Sequence, residues 1–187
     1  MPELRLCETL PELSAVLAGC RNKDKVVGLV PTMGNLHAGH LALIDAAREH
    51  CDYVIATIFV NPLQFAPTED LDRYPRTFQA DIAALQQSGC DALFAPSADL
   101  MYPQGLQAHT RITVPGVSSL HCGKSRPGHF DGVCTVVCKL FNLIQPHHAW
   151  FGYKDYQQFH IISTMVADLA LPVQLHGIPT TREASGL

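Results

Sequence analysis

The sequence predicts a single α/β domain with a mainly parallel sheet and helices on both faces. Three observations lead there. Short β-branched runs alternate with amphipathic helical patterns, the strand-like runs are apolar at nearly every position, and 187 residues suit one sizeable core. Apolar residues make up 47% of the chain and charged residues 16%. That balance fills a core and carries too few charges for a disordered or coiled-coil protein.

The strands come first. VVGLV (26–30), YVIATIFV (53–60), DALFA (91–95), TRITV (110–114), HAWFG (148–152) and PVQLHGI (172–178) read as extended runs, with Pro31 expected to stop the first. Helices are expected over 38–50, 77–88, 130–145 and 154–169. The last of these places Phe159, Ile162, Met165, Val166 and Leu169 on one face, as a 3.6-residue period requires. No repeat, linker or low-complexity segment interrupts the alternation. The proline-rich stretch from Pro62 to Pro75 reads as a surface excursion long enough to be functional.

Composition excludes several function classes. A formal net charge of −4 offers no bulk field for a polyanion, which argues against a nucleic-acid partner. Seven cysteines, an odd number with no C-x-x-C pair, fit reduced thiols better than a disulfide framework. Cys134 and Cys138 lie one helical turn apart, but inside VCTVVCKLFNLI they read as core thiols rather than metal ligands. The N-terminus, MPELRLCETLPEL, lacks the long apolar stretch of a signal peptide, and no run approaches the ~20 residues of a membrane span. The expectation is a soluble, cytoplasmic protein with no membrane partner.

In a parallel sheet, ligands bind beyond the carboxyl ends of the strands, where strand order reverses. Three motifs fall just after strands. PTMGNLHAGH (31–40) follows the first, with glycines for close backbone approach and a helix start near Ala38 that favours phosphate. His37 and His40 share a face there, and imidazole can donate to phosphoryl oxygens and, when protonated, balance transition-state charge. Helix capping by the same residues is the competing reading. A zinc site is disfavoured because H-E-x-x-H is absent, and no metal-ligating set is assigned.

NPLQF (61–65) follows the second strand and supplies Asn61 and Gln64, neutral groups able to fix hydroxyls or a carboxylate, although a self-satisfied turn explains it equally well. Met33, Leu63 and Phe65 are candidates for an apolar wall. WFGYKDYQQ (150–158) follows the fifth strand, where Lys154 suits a phosphate and Asp155 a ribose hydroxyl or Mg²⁺. SRPGHFDGV (125–133) places Arg126 and His129 before a long apolar helix, where they remain unassigned.

Taken as an ordered set, PTMGNLHAGH, FVNPLQF with DLDRYPRT, RPGHFDGV, KLFNLIQP, FGYKDYQQ and GIPTTREASGL closely resemble the pantothenate synthetase (pantoate–β-alanine ligase) family. The resemblance runs from about residue 26 to the last residue. It implies a Rossmann-like domain of the H-x-G-H nucleotidyltransferase superfamily and an ATP-dependent ligase with MgATP, pantoate and β-alanine as ligands. Pantoate would attack the α-phosphate to give pantoyl adenylate and pyrophosphate, and β-alanine would then displace AMP.

By the same resemblance, Met33, Gly34, Asn35, Leu36, His37, Ala38, Gly39 and His40 line the ATP site, with His40 in the catalytic position beside His37 and Lys154. Gly152, Tyr153, Lys154, Asp155 and Thr181 contact the nucleotide. Gln64 and Gln158 hold pantoate with Asn61 alongside, and Gln64 also meets β-alanine. A homodimer formed through this domain is implied as well.

Two departures stand out. Tyr153 occupies the position where the family commonly has Glu. The family pattern also continues past Leu187 into a Ser-Ser-Arg phosphate motif and a smaller C-terminal domain. The expectation is therefore an N-terminal domain with little or no turnover of its own. Two alternatives stand beside the ligase reading: a nucleotidyltransferase acting on another acceptor, and a module that only binds ligand and dimerises.

Overall fold

Six strands pair side by side in the order β1-β4-β3-β2-β5-β6, every neighbouring pair parallel. They are β1 (Arg5–Cys7), β2 (Val27–Thr32), β3 (Tyr53–Ile58), β4 (Ala92–Phe94), β5 (His148–Gly152) and β6 (Gln174–Ile178). Among the described residues seven α-helices connect them: α1 (Leu10–Arg21), α2 (Ala38–Arg48), α3 (Phe78–Gln87), α4 (Ala98–Met101), α5 (Cys122–Ser125), α6 (His129–Ile144) and α7 (Tyr156–Asp168). The computed structural model describes residues 3–65, 74–75, 77–182 and 186.

Alternation along the strands divides the core in two. Leu29, Ile55, Phe94, Ala149 and Phe151 face one side with α1, α6 and α7. Val30, Val54, Ala56, Leu93 and Trp150 face the other with Leu43, Ile44 and Ala47 of α2 and Leu85 of α3. Both faces are covered, which is why the strands read as continuous apolar runs. Helix α6 is buried along most of its length, with Cys134 and Cys138 in the core as neutral thiols; burial pushes Cys134 up to about 12.

The chain moves outward from β2 to β3 and β4, then returns across β2 to β5 and β6. Strand order therefore reverses between β2 and β5. Their pairing ends at Leu29–Ala149, while β2 stays paired to β3 as far as Thr32–Ile58. The sheet splits beyond that point and opens a crevice at its carboxyl edge.

Several sequence expectations need correction. β2 does not stop before Pro31 but runs through it to Thr32, because β5 has already diverged and no ladder donor toward it is needed. TRITV forms no strand. β1 and β6 hold the sheet edges, and the segment lies near α6, with Ile112 N–H donating to Thr135 Oγ1 at 3.0 Å. β1 is a strand of three residues that periodicity does not detect. Helix α1 is likewise absent from the expected elements, although its capping box is visible as T-x-x-E: Thr9 Oγ1 accepts from Glu12 N–H, and Glu12 accepts from Thr9 N–H at 3.0 Å. Of the Pro62–Pro75 excursion, residues 66–73 lie outside the described residues, as do 76 of DLDRYPRT and 183–185 and 187 of the terminal motif.

Candidate active site

The crevice holds two adjoining cavities. The larger, about 350 Å³, lies between the β2–α2 turn, the start of α7 and the segment after β6. The smaller, about 180 Å³, runs from the crevice toward the 3-10 turn Pro62–Gln64 and the flank of α6. Met33, His40, Tyr74, Asp155 and Gln158 belong to both walls.

Of the residues expected at the nucleotide, all line the larger cavity except Leu36, Ala38 and Tyr153. Leu36 packs against the core, Ala38 is the first residue of α2, and the Tyr153 ring rests over Gly177 and edge-on to Phe159. Gln64 and Gln158 both line the smaller cavity, where Phe59, Val133, Val136, Val137 and Leu140 supply apolar wall. Asn61 lines neither. It is fully buried, its oxygen accepting from Tyr102 Oη–H at 2.9 Å and Leu63 N–H at 3.3 Å, its amide donating to the Gly132 carbonyl at 3.0 Å. Its place is behind the turn that carries Gln64.

His37 is the N-cap of α2. Its Nδ1 accepts from Gly39 N–H at 3.1 Å, and His40 Nδ1 accepts from His37 N–H at 3.4 Å. The rings lie 4.1 Å apart between centroids. Capping and ligand binding, posed as rivals by the sequence, are thus compatible. With both Nδ1 atoms accepting, a neutral ring carries its proton on Nε2, so each histidine offers one N–H donor to the cavity it lines. Gly39 permits the arrangement, since a Cβ there would sit 2.9 Å from His37 Cε1.

Burial, and secondarily the neighbouring His37, lowers the pKa of His40 from its ordinary 6.5 to about 4. At pH 7 it is a neutral donor rather than the cation the sequence reading allowed for. Positive charge comes instead from Lys154, whose Nζ lies 3.7 Å from Asp155 Oδ1; both side chains are largely exposed, so the pair adds little stability and Lys154 can re-aim.

Two contributions escaped the sequence reading. Asp81 of α3 is 3% exposed, and its carboxylate accepts from Leu36 N–H at 2.8 Å, Asn35 N–H at 3.0 Å and Thr77 Oγ1–H at 3.1 Å. It anchors a loop in which Asn35 takes a left-handed backbone (φ 53°). The signal was available: Asp81 sits on the apolar face of FQADIAAL, four residues before buried Leu85. Tyr74 entered only as part of a motif and stands in both cavity walls.

The family model for pantoate–β-alanine ligase matches residues 5–187. The chain is 58% identical over 180 residues to pantothenate synthetase of Azotobacter vinelandii and 57% identical to that of Pseudomonas aeruginosa, covering 96% of this chain in each case. It spans 64% of the length of each of those relatives. Among solved structures, pantothenate synthetase of Thermus thermophilus superposes with a TM-score of 0.92 at 51% identity, covering 98% of this chain and 64% of that one. A Francisella tularensis pantoate–β-alanine ligase complexed with β,γ-ATP and β-alanine superposes at 0.91 with 39% identity, covering 98% of this chain and 70% of that one.

Proposed function

The chain belongs to the pantoate–β-alanine ligase family, and from that premise we propose that its paired cavities hold ATP and pantoate side by side for adenylation of the pantoate carboxylate. The observation that carries this reading is the shared wall: His40, Met33 and Gln158 face both cavities, so groups bound in each can meet there. A carboxylate is a poor electrophile, and transfer of AMP to it creates a mixed anhydride with a good leaving group.

In the first step a pantoate carboxylate oxygen bonds to the α-phosphorus of ATP, and the bond from that phosphorus to the bridging oxygen of pyrophosphate breaks. Charge builds on the phosphoryl oxygens, where the Nε2–H donors of His37 and His40 and the Lys154 ammonium would act. In the second step the neutral amine of β-alanine adds to the carboxyl carbon. The carbon–oxygen bond to AMP then breaks, and the amine releases a proton as the amide forms.

Gln64 and Gln158 would hold the hydroxyls and carboxylate of pantoate, while Val133, Val136, Val137 and Leu140 suit its two methyl groups. Gln64 would also meet the incoming amine. An acceptor bearing phosphate would call for cations, and among its described residues the smaller cavity has no lysine or arginine in its wall.

Magnesium would arrive with the nucleotide. Among the described residues no group of three His, Cys, Asp or Glu side chains can hold a metal, so the ATP phosphates would supply much of the coordination, with Asp155 the carboxylate in the larger cavity's wall. We read residues 1–187 as one nucleotide- and pantoate-binding domain, forming a homodimer in the cytoplasm. Seven free cysteines agree with a reducing compartment. In a protein of its relatives' full length, incubation with ATP, pantoate and β-alanine is expected to release AMP and pyrophosphate, the chain alone being expected to turn over little or nothing. Release of ADP and phosphate would contradict adenylation.

A further inference from the structure

Gln64 sits on a short turn that has no sheet to hold it, yet its amide must be fixed to select between similar hydroxy acids. The first turn of α6 supplies the constraint. His129 Nδ1 lies 2.8 Å from the Gln64 carbonyl oxygen, and Arg126 reaches the same oxygen at 3.4 Å through one guanidinium nitrogen. The other guanidinium nitrogen lies 3.1 Å from His129 Nε2.

These contacts fit one tautomer of the neutral imidazole. A guanidinium only donates, so Nε2 must accept; the neutral ring therefore carries its proton on Nδ1, which faces a carbonyl that only accepts. Arg126 thus orients His129, and His129 holds the Gln64 backbone. Behind them the chains are in close contact. A Cβ on Gly132 would stand 2.3 Å from the Leu63 carbonyl oxygen, and Asn61 bridges to the Gly132 carbonyl. The turn cannot slide along α6 while these contacts hold.

We propose that Arg126 and His129 are positioning residues for Gln64, a latch that sets the affinity of the site for its hydroxy-acid substrate without touching it. The proposal rests on reading the smaller cavity as the pantoate site. It assigns the R-P-G-H segment a purpose at the pantoate end of the crevice through the Gln64 carbonyl, neither Arg126 nor His129 lining either cavity itself.

The test uses this chain and three measurements. Nitrogen-15 NMR of the histidine rings is expected to find His129 protonated on Nδ1; an Nε2–H tautomer would overturn the latch. Calorimetry is expected to find pantoate affinity reduced at least about tenfold in His129→Phe, which keeps a ring but neither nitrogen, with ATP affinity unchanged. His129→Asn, whose Nδ2–H can replace Nδ1–H, is expected to recover most of the loss. Unchanged pantoate affinity in His129→Phe, or a parallel loss of ATP affinity, would overturn the positioning role. Failure of the unsubstituted chain to bind pantoate would instead remove the functional reading on which the latch depends, even with the tautomer as expected.

Discussion

Replacing His40 with alanine in a protein of its relatives' full length is expected to lower the rate of adenylate formation by about 10²–10³ while the domain still folds, the range for loss of one preorganised donor to a charged transition state. The expectation follows from geometry. His40 stands in the wall shared by the two cavities, and its Nδ1 accepts from His37 N–H, leaving Nε2–H for a phosphoryl oxygen. Pyrophosphate release from ATP and pantoate measures the loss, and near-normal release would reduce His40 to a helix cap.

The same substitution has a signature in pH. The pKa of His40 is depressed in the fold, from 6.5 to about 4, chiefly by burial. Between those values the unfolded chain binds a proton that the folded chain does not, so this residue's contribution to stability falls as pH drops from 6.5 toward 4. In His40→Ala that component disappears. Denaturant titrations at pH 7.5 and pH 5 are therefore expected to differ less in the variant than in the parent.

Asp81→Ala is expected to be the most damaging change outside the cavity walls. It would leave the Asn35 and Leu36 N–H groups and the Thr77 hydroxyl without their acceptor, at about 1–3 kcal/mol for each donor that finds no water. Loss of the anchor frees a loop that lines the larger cavity and leads into the His37 cap, so, with ATP proposed there, its affinity should fall by about tenfold or more even where the variant folds. Asp81→Asn, which keeps one acceptor oxygen, should lie between the two. Equal ATP affinity in all three would show that the loop holds its own shape.

The parts of the site legible in the sequence were those in which local pattern and position agree. PTMGNLHAGH and FGYKDYQQ each follow a strand, and the sheet brings those strand ends together at the order reversal. Their neighbourhood followed from fold class alone. Asp81 was harder because it acts across 45 residues of sequence on backbone amides, which leave no trace in composition. Asn61 reads as a ligand-side residue because its chemistry suits one; the fold buries its turn under α6 and Tyr102 and gives its oxygen and one amide N–H protein partners, which composition does not reveal. TRITV has the β-branched residues of a strand, but the chain carries it to α6 rather than alongside β1 or β6, and Ile112 N–H donates to Thr135 instead of to a ladder. Periodicity reports what a segment can do, whereas the sheet's topology decides whether it does so.

Calorimetric titration of pantoate into this chain, alone and with a non-hydrolysable ATP analogue at saturation, tests the two-cavity arrangement most directly. Adjoining cavities with a shared wall predict that pantoate binds in both conditions, with affinity undiminished by the nucleotide. Abolition of pantoate binding by the nucleotide would place both ligands in one cavity and contradict the proposed adenylation geometry.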